Sequence, residues 1–216
     1  MNRDEATLAK LRRAYERGAL LEEALAEDPL VQFDRWFEEA RAGDVLEPNA
    51  MILTTVNELG RPDARTVLLK DVSDGGFVFY TNYKSRKGRD LASCPYVCLV
   101  FLWTSLERQV RIEGRAEQVS AAESDEYYAS RPRGSRLGAW ASDQSEPVAS
   151  REVMERKLEE VEACYLDKPV PRPPHWGGYR VTPEAIEFWQ GRPNRLHDRI
   201  CFQRKDGAWE RRRLQP

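Results

Sequence analysis

Residues 51–81 read Met51-Ile52-Leu53-Thr54-Thr55-Val56-Asn57-Glu58-Leu59-Gly60-Arg61-Pro62-Asp63-Ala64-Arg65-Thr66-Val67-Leu68-Leu69-Lys70-Asp71-Val72-Ser73-Asp74-Gly75-Gly76-Phe77-Val78-Phe79-Tyr80-Thr81. Three runs in it, Met51–Val56, Arg65–Val72 and Phe77–Thr81, are rich in β-branched and apolar residues and read as strands. Between them stand turn formers, Asn57-Glu58-Leu59-Gly60 and Asp74-Gly75-Gly76. Turns this short join antiparallel neighbours, because a parallel pair needs a crossover of about a dozen residues or more. The stretch therefore predicts an antiparallel meander.

The same texture continues outward. Strands are predicted at Tyr96–Trp103 and Glu107–Val119, the second with Val110 and Ile112 on one face and Gln109, Arg111 and Glu113 on the other. Gly178–Val181, Ala185–Gln190 and a hairpin of Arg199–Arg204 with Trp209–Arg213, turned by Asp206-Gly207, close the chain. Helices fall between the strand groups. One runs from Ser85 to before Pro95. A capping box at Ser120-Ala121-Ala122-Glu123 starts another, which stops near Arg131-Pro132. Ser135–Ser142 and Ser150–Tyr165 follow, and Lys168–Pro174 is a stiff proline-rich connector. At the N-terminus, Leu8, Leu11, Tyr15, Leu20 and Leu21 predict an amphipathic helix over 6–26, which Gly18 interrupts. Asp28-Pro29 opens a second helix, whose apolar side carries Val31, Phe33, Trp36 and Phe37. The fold class is α+β: an antiparallel barrel or sheet with surrounding helices, in a single domain over 1–216. A helical segment occupies about 4–43 and the closing strands about 176–216. The glycine patterns of dinucleotide-binding folds and P-loops are absent from the sequence.

Composition narrows the function. Lys and Arg total 34 against 36 Asp and Glu, a net charge of −2, which argues against nucleic acid as a partner. The longest apolar run, Tyr96–Trp103, has eight residues, far short of the roughly 20 that span a bilayer. The first residues, Met1-Asn2-Arg3-Asp4-Glu5, lack a signal-peptide layout. Cys94, Cys98, Cys164 and Cys201 form no CxxC pair and read as reduced thiols of a cytoplasmic protein. Neither histidine has a cysteine at ligand spacing, so no metal site is expected.

Four residue groups suggest chemistry. If 195–203 is a strand, Arg195, His197 and Arg199 share a face, and three such groups side by side call for something anionic or electron-rich against them. The upstream Phe188-Trp189 pair then offers a flat wall. Arg65 and Lys70, in a strand, face opposite ways and serve different ligand parts or different subunits; read alone, they are surface charges bracketing a core strand. Tyr80-Thr81 ends a strand, and Ser85-Arg86-Lys87 opens a helix with cations where the dipole disfavours them, as a phosphate cradle would. Tyr127 and Arg131 are four apart on one helical face, and Ser135 follows, giving a second phosphate grip. The polar loop after Trp140, Ser142-Asp143-Gln144-Ser145, is a weaker signal. Two phosphate grips and an aromatic wall suggest two phosphorylated ligands, one of them flat.

Taken together these segments resemble the pyridoxine/pyridoxamine 5′-phosphate oxidase family. The resemblance runs from Leu11-Arg12-Arg13 to Arg213-Leu214-Gln215-Pro216. It is carried by Arg65–Lys70, Phe79–Asn82, Ser85–Lys87, Leu106–Val110, Ser130–Arg133, Gly138–Trp140, Gln144-Ser145, Glu187–Gly191 and Arg195–Arg199. It implies an FMN-binding split barrel and a homodimer with flavin sites at the subunit interface. FMN contacts are then expected from Arg65, Thr66, Val67, Leu68, Leu69, Lys70, Tyr80, Thr81, Arg86, Lys87 and Gln109, completed from the partner subunit by Gln144, Ser145, Trp189 and Arg199. Substrate contacts are expected from Lys70, Tyr127, Arg131 and Ser135 around the phosphate, and from Arg195 and His197, the catalytic pair, over the pyridine ring. Arg12 and Tyr15 form a lid. The acidic run Ala19-Leu20-Leu21-Glu22-Glu23 departs from the basic stretch common in relatives and puts a regulatory anion site there in doubt.

The implied reaction oxidises the 4′ carbon of pyridoxamine or pyridoxine 5′-phosphate to the aldehyde, with O₂ as final acceptor, H₂O₂ as product, and ammonia released from the amine. His197, ordinarily near pKa 6.5, either exchanges a proton or only positions substrate. One alternative keeps the fold, a flavin reductase-like split-barrel FMN enzyme; another is a non-enzymatic carrier of pyridoxal 5′-phosphate. An RNA-binding barrel is a third, disfavoured by the charge balance.

Overall fold

The computed structural model describes residues 15–43 and 45–216. Among these residues nine strands form one antiparallel system: β1 (Ala50–Val56), β2 (Pro62–Leu68), β3 (Asp71–Ser73), β4 (Gly76–Asn82), β5 (Tyr96–Trp103), β6 (Arg108–Gln118), β7 (Trp176–Gln190), β8 (Asp198–Lys205) and β9 (Ala208–Leu214). They hydrogen-bond in the order β2-β1-β5-β6-β7-β4-β3, and β8 pairs with both β7 and β9. Among the described residues the α-helices are α1 (Pro29–Ala42), α2 (Arg86–Ser93), α3 (Ala121–Ser130), α4 (Arg133–Ala141) and α5 (Arg151–Cys164). No described helix is long and apolar enough to cross a membrane.

The predicted caps are in place. Asp28 accepts from the Leu30 N–H with Pro29 at the first helical position, Ser85 accepts from Gly88, and Ser120 accepts from Glu123. Gly88 answers a steric demand: a Cβ there would stand 2.1 Å from the Tyr83 carbonyl oxygen, so α2 packs backbone to backbone on the chain leaving β4. Gly88→Ala is expected to cost about 1–3 kcal/mol through forced separation of these backbones, read as a lower urea midpoint at unchanged slope.

Three expectations are corrected. The helix over 6–26 does not form in its described part: residues 15–21 carry no helix, and Glu22–Ala24 make one 3₁₀ turn. Tertiary partners have replaced helical hydrogen bonds there, since the Glu16 and Arg17 amides bond Glu107 and the Leu20 amide bonds Asp198. Residues 6–14, Arg12 among them, lie outside the described residues. The run Arg65–Val72 is not one strand; β2 ends at Leu68 and β3 begins at Asp71. Asn49 causes the break, donating to the Leu69 carbonyl at 3.1 Å while accepting the Leu69 amide through its own carbonyl at 2.8 Å. Conversely, the two strands read at 178–181 and 185–190 are one. Pro183, within the merged strand, has no N–H to give a ladder. On this edge, however, β7 pairs with β4 up to Val181 and with β8 from Ala185, so the missing N–H falls between two ladders.

The chain divides into two compact units, each discontinuous in sequence. One takes in the chain up to Pro48, Phe101–Arg111 and Ala185–Pro216; the other takes in Asn49–Val100 and Ile112–Glu184. In the first, α1 lays Phe33 against Phe101 (5.1 Å between centroids), and Trp36 meets Phe188 edge-on at 5.2 Å. In the second, Met51, Leu53, Phe77, Phe79, Leu99 and Val181 are fully buried.

Candidate active site

In the second unit a cleft of about 520 Å³ is lined by Arg65, Thr66, Val67, Leu68, Lys70, Tyr80, Thr81, Lys87, Tyr127, Arg131, Pro132, Ser135, Gln144 and Trp176. Residues that sequence spacing assigned to two phosphate grips thus share one wall. Because β2 ends at Leu68, strand alternation does not reach Lys70. Arg65 and Lys70 line the same cleft, against the expectation that they face opposite ways.

Arg65 is fixed from behind. Its Nη1 donates to the Leu53 carbonyl (3.1 Å) and Thr55 Oγ1 (2.8 Å), and its Nη2 meets Asp63 (2.7 Å) and Asp90 (3.8 Å). Arg86 pairs with the same Asp63 at 3.0 Å and is not among the lining residues. Leu69 is buried beneath. Lys87 donates to Gln144 Oε1 at 2.9 Å, and Thr81 donates to the same oxygen at 3.1 Å. Gln144 thus reaches the cleft of its own chain. Ser145 lies beside it with φ +75° and lines a separate hollow under α5.

Tyr80 stacks on Tyr127 (3.9 Å between centroids, 15° between planes) and on Trp176 (5.6 Å, 12°). Arg131 closes the α3 end with its guanidinium carbon 4.5 Å from the Trp176 ring centre. Its Nη1 is buried and has no hydrogen-bond partner among the described residues. Burial pulls both the Lys87 ammonium and the Arg131 guanidinium below their ordinary pKa; at Arg131 the phenols of Tyr127 and Tyr128 oppose the shift. Trp176 was not foreseen. Its signal was an aromatic set directly after the proline-rich connector, where the chain re-enters the sheet.

In the first unit the second constellation differs from its sequence reading. Strand β8 begins only at Asp198; Asn194 and Arg195 occupy a short turn with φ +57° and +62°. Arg195, His197 and Arg199 therefore do not share a strand face. Arg195 is exposed. His197 sits 4.7 Å from Trp189, and the Tyr15 ring stands edge-on to both, at 5.7 Å from Trp189 and 5.5 Å from His197. His197 Nδ1 accepts the Arg192 amide at 3.1 Å, which leaves the proton of the neutral ring on Nε2. Burial first, then Arg195, holds the imidazole below its usual pKa, so it is neutral at pH 7. Arg199 is engaged with buried Glu187 (2.7 and 3.1 Å) and the Gln215 carbonyl. Phe188 faces the core, as alternation with Trp189 requires, so only Trp189 offers a wall. Gln109 lines a hollow of about 260 Å³ with Tyr15, Leu102, Thr104, Glu107, Arg108 and Trp189.

Comparison with known proteins gives the class first. PhzG from Burkholderia lata 383, solved with tetrahydrophenazine-1-carboxylic acid, superposes with a TM-score of 0.86 at 30% identity, covering 92% of this chain and 98% of that one. A pyridoxamine 5′-phosphate oxidase-related, FMN binding protein from Nostoc punctiforme shares the fold (TM-score 0.69, 15% identity, 92% and 100% covered). The fold is an antiparallel split barrel with surrounding helices, as predicted. The family's sequence model, "Pyridoxamine 5′-phosphate oxidase", matches residues 37–165, and "Pyridoxine 5′-phosphate oxidase C-terminal dimerisation region" matches 176–216. Relatives named pyridoxine/pyridoxamine 5′-phosphate oxidase in Thermosynechococcus vestitus and Rubrobacter xylanophilus are 61% and 59% identical over 209 residues. Each alignment covers 97% of this chain, with 99% and 96% of the relative. The chain belongs to the pyridoxamine 5′-phosphate oxidase family.

Proposed function

We propose that this protein is an FMN-dependent oxidase that converts pyridoxamine 5′-phosphate and pyridoxine 5′-phosphate to pyridoxal 5′-phosphate, with O₂ reduced to H₂O₂ and ammonia released from the amine. It acts as a single-domain split barrel in a cytoplasmic homodimer. Arg131 carries this reading: a guanidinium with a buried, unpartnered nitrogen, in a cleft shared with Tyr127, Ser135 and Lys70. A dianionic phosphate is the ligand that such a group lacks.

The cleft suits FMN by its donors. Arg65 is preset by four contacts, and Thr81 and Lys87 converge on Gln144, whose amide can turn to a ligand instead. Arg65, Thr66, Lys70, Thr81, Arg86 and Lys87 would hold the flavin's phosphate and ribityl chain, and Val67, Leu68 and Tyr80 would line it. Gln109 adds to the flavin site, and Gln144, Ser145, Trp189 and Arg199 of the second subunit complete it. When bound, FMN supplies a two-electron acceptor for the 4′ carbon and a route from there to O₂.

The protein's own part is alignment. Gripping the phosphate at Arg131 fixes the vitamer by a group remote from the reacting carbon, and that binding energy orients the ring. In this reading Arg195, exposed on its left-handed turn, would lie over the vitamer ring. His197, neutral and edge-on to Tyr15, offers Nε2–H as a donor to ring substituents; it positions rather than abstracts.

The test begins with the purified protein's visible spectrum and peroxide release on adding each vitamer. Flavin bands near one per subunit and peroxide from pyridoxamine 5′-phosphate are expected, with unphosphorylated pyridoxamine turned over at least about tenfold less efficiently. Equal turnover of the two amines would discard the phosphate grip. Arg195→Ala is expected to depress turnover while leaving the protein yellow; a colourless variant would make Arg195 a cofactor residue.

A further inference from the structure

Asp198 stands between His197 and Arg199, and its carboxylate serves neither vitamer nor flavin in the reading above. Its side chain is 15% exposed. Both oxygens are engaged: Oδ1 accepts from Arg213 Nη1 at 2.7 Å, and Oδ2 accepts the Leu20 amide at 3.0 Å. Arg213, near the C-terminus on β9, donates in turn to the Leu20 carbonyl (2.8 Å) and grips Glu22 through two nitrogens at 2.7 Å. Arg211 reaches the Glu22 carbonyl at 3.0 Å, and Arg192 reaches the Gly18 carbonyl at 2.7 Å. On the other side, Glu107 takes the amides of Glu16 and Arg17.

A backbone segment without α-helix of its own is thus held polar group by polar group, from Glu107, Arg192 of the loop before β8, Asp198 at the start of β8, and Arg211 and Arg213 of β9. The geometry is directional. Leu20 is clamped at both its amide and its carbonyl by the Asp198–Arg213 pair, which fixes the register of the segment and not only its proximity. The Glu22 carboxyl is held down to about 2, first by its hydrogen bond with Arg213, so the charged contact persists throughout the neutral range. At the segment's near end Tyr15 is pressed so closely onto Gly191 that a Cβ there would stand 2.6 Å from its ring.

We propose that Asp198 and Arg213 are positioning residues for the reaction. By clamping residues 16–22 they seat the Tyr15 ring on His197 and Trp189, building the aromatic corner that receives the vitamer ring. The proposal rests on the functional reading above, and it assigns Asp198 a task that neither its neighbours' roles nor the family resemblance supplied.

Full-length protein loaded with FMN provides the test, by amide hydrogen exchange and steady-state kinetics on Asp198→Asn, Arg213→Met, Glu22→Gln and Tyr15→Ala. In the first two, exchange over 16–22 is expected to rise about tenfold, and KM for pyridoxamine 5′-phosphate about tenfold, while kcat and flavin content move less than about twofold. Glu22→Gln, a surface change that leaves folding intact, moves both readouts the same way by a smaller factor. Tyr15→Ala reproduces the KM rise, and adding Arg213→Met to it changes KM by less than about twofold, because both act through one contact. Unchanged exchange in the variants overturns the clamp. Faster exchange with unchanged KM, or KM effects that multiply in the double variant, overturns the positioning role. A wild-type protein inert towards the vitamer overturns the functional reading instead, and the exchange result still decides whether the clamp exists.

Discussion

Replacing Arg131 by alanine lowers kcat/KM for pyridoxamine 5′-phosphate by about 10- to 150-fold, the equivalent of one charge-assisted hydrogen-bonded contact of roughly 1.5–3 kcal/mol. The expectation follows from how the side chain is kept. Its guanidinium carbon lies 4.5 Å from the Trp176 ring centre and 5.6 Å from that of Tyr128, and Nη1 is buried without a partner among the described residues. A buried donor left unpaired costs free energy, and burial has already drawn its pKa down. An incoming phosphate removes that cost as well as adding a bond. The loss should therefore fall on phosphorylated substrate alone: Arg131→Ala turns over unphosphorylated pyridoxamine as wild type does, and inorganic phosphate inhibits wild type more strongly than the variant. Arg131→Lys restores only part of the efficiency, because an ammonium neither stacks on Trp176 nor presents a planar fork. Full efficiency in Arg131→Ala would move the phosphate to another group in the cleft.

What the sequence disclosed about this molecule was local. Strand runs between Gly- and Asn-containing turns gave the antiparallel class, and Asp28, Ser85 and Ser120 gave helix starts, because each signal acts within a few residues. Tyr127 and Arg131 could be paired because helical spacing fixes them. Two of the misses have one cause: a distant partner overruled a local preference. Asn49 cuts the strand after Leu68 from 20 residues away. Asp198 and Glu107 draw 15–21 out of the helix that its leucines favour. The left-handed turn at Asn194-Arg195 breaks the alternation that had put three basic groups on one face. Trp176 joined the cleft only through a strand pairing, Asn82 with Trp176, that no pattern within one segment encodes. The family resemblance supplied the ligand classes. It did not supply what stands behind the ligand-facing residues: Asp63 and Asp90 behind Arg65, and Glu187 behind Arg199.

Glu187 is where removing such a backing group should cost most. It is 3% exposed and lies between Arg199, at 2.7 and 3.1 Å, and Arg111, at 2.8 Å. Burial alone would raise its pKa, but the hydrogen bonds from Arg199 and then Arg111 outweigh it and hold the carboxyl below its usual value. Glu187→Ala leaves two guanidinium groups beside an uncompensated cavity, and breaking a buried pair from one side typically costs about 3–5 kcal/mol. The lower end applies here, since Arg111 is over a third exposed and water screens its share. Urea unfolding reads that loss directly. Glu187→Gln keeps the volume and part of the hydrogen bonding, and should lose less. The sign of the pH dependence is fixed: a carboxyl with depressed folded-state pKa contributes stability above its ordinary value of 4.5, and that contribution disappears as pH falls through the depressed value. The gap between wild type and Glu187→Gln should thus be constant at neutral pH and narrow only below 4.5. Because Arg199 is steadied by the same carboxylate, FMN affinity should fall alongside stability in Glu187→Ala, whereas Arg111→Met should cost stability and spare the flavin. A Glu187→Ala protein as stable as wild type would mean that the two arginines are held by their other contacts and that the buried carboxylate does not order this corner.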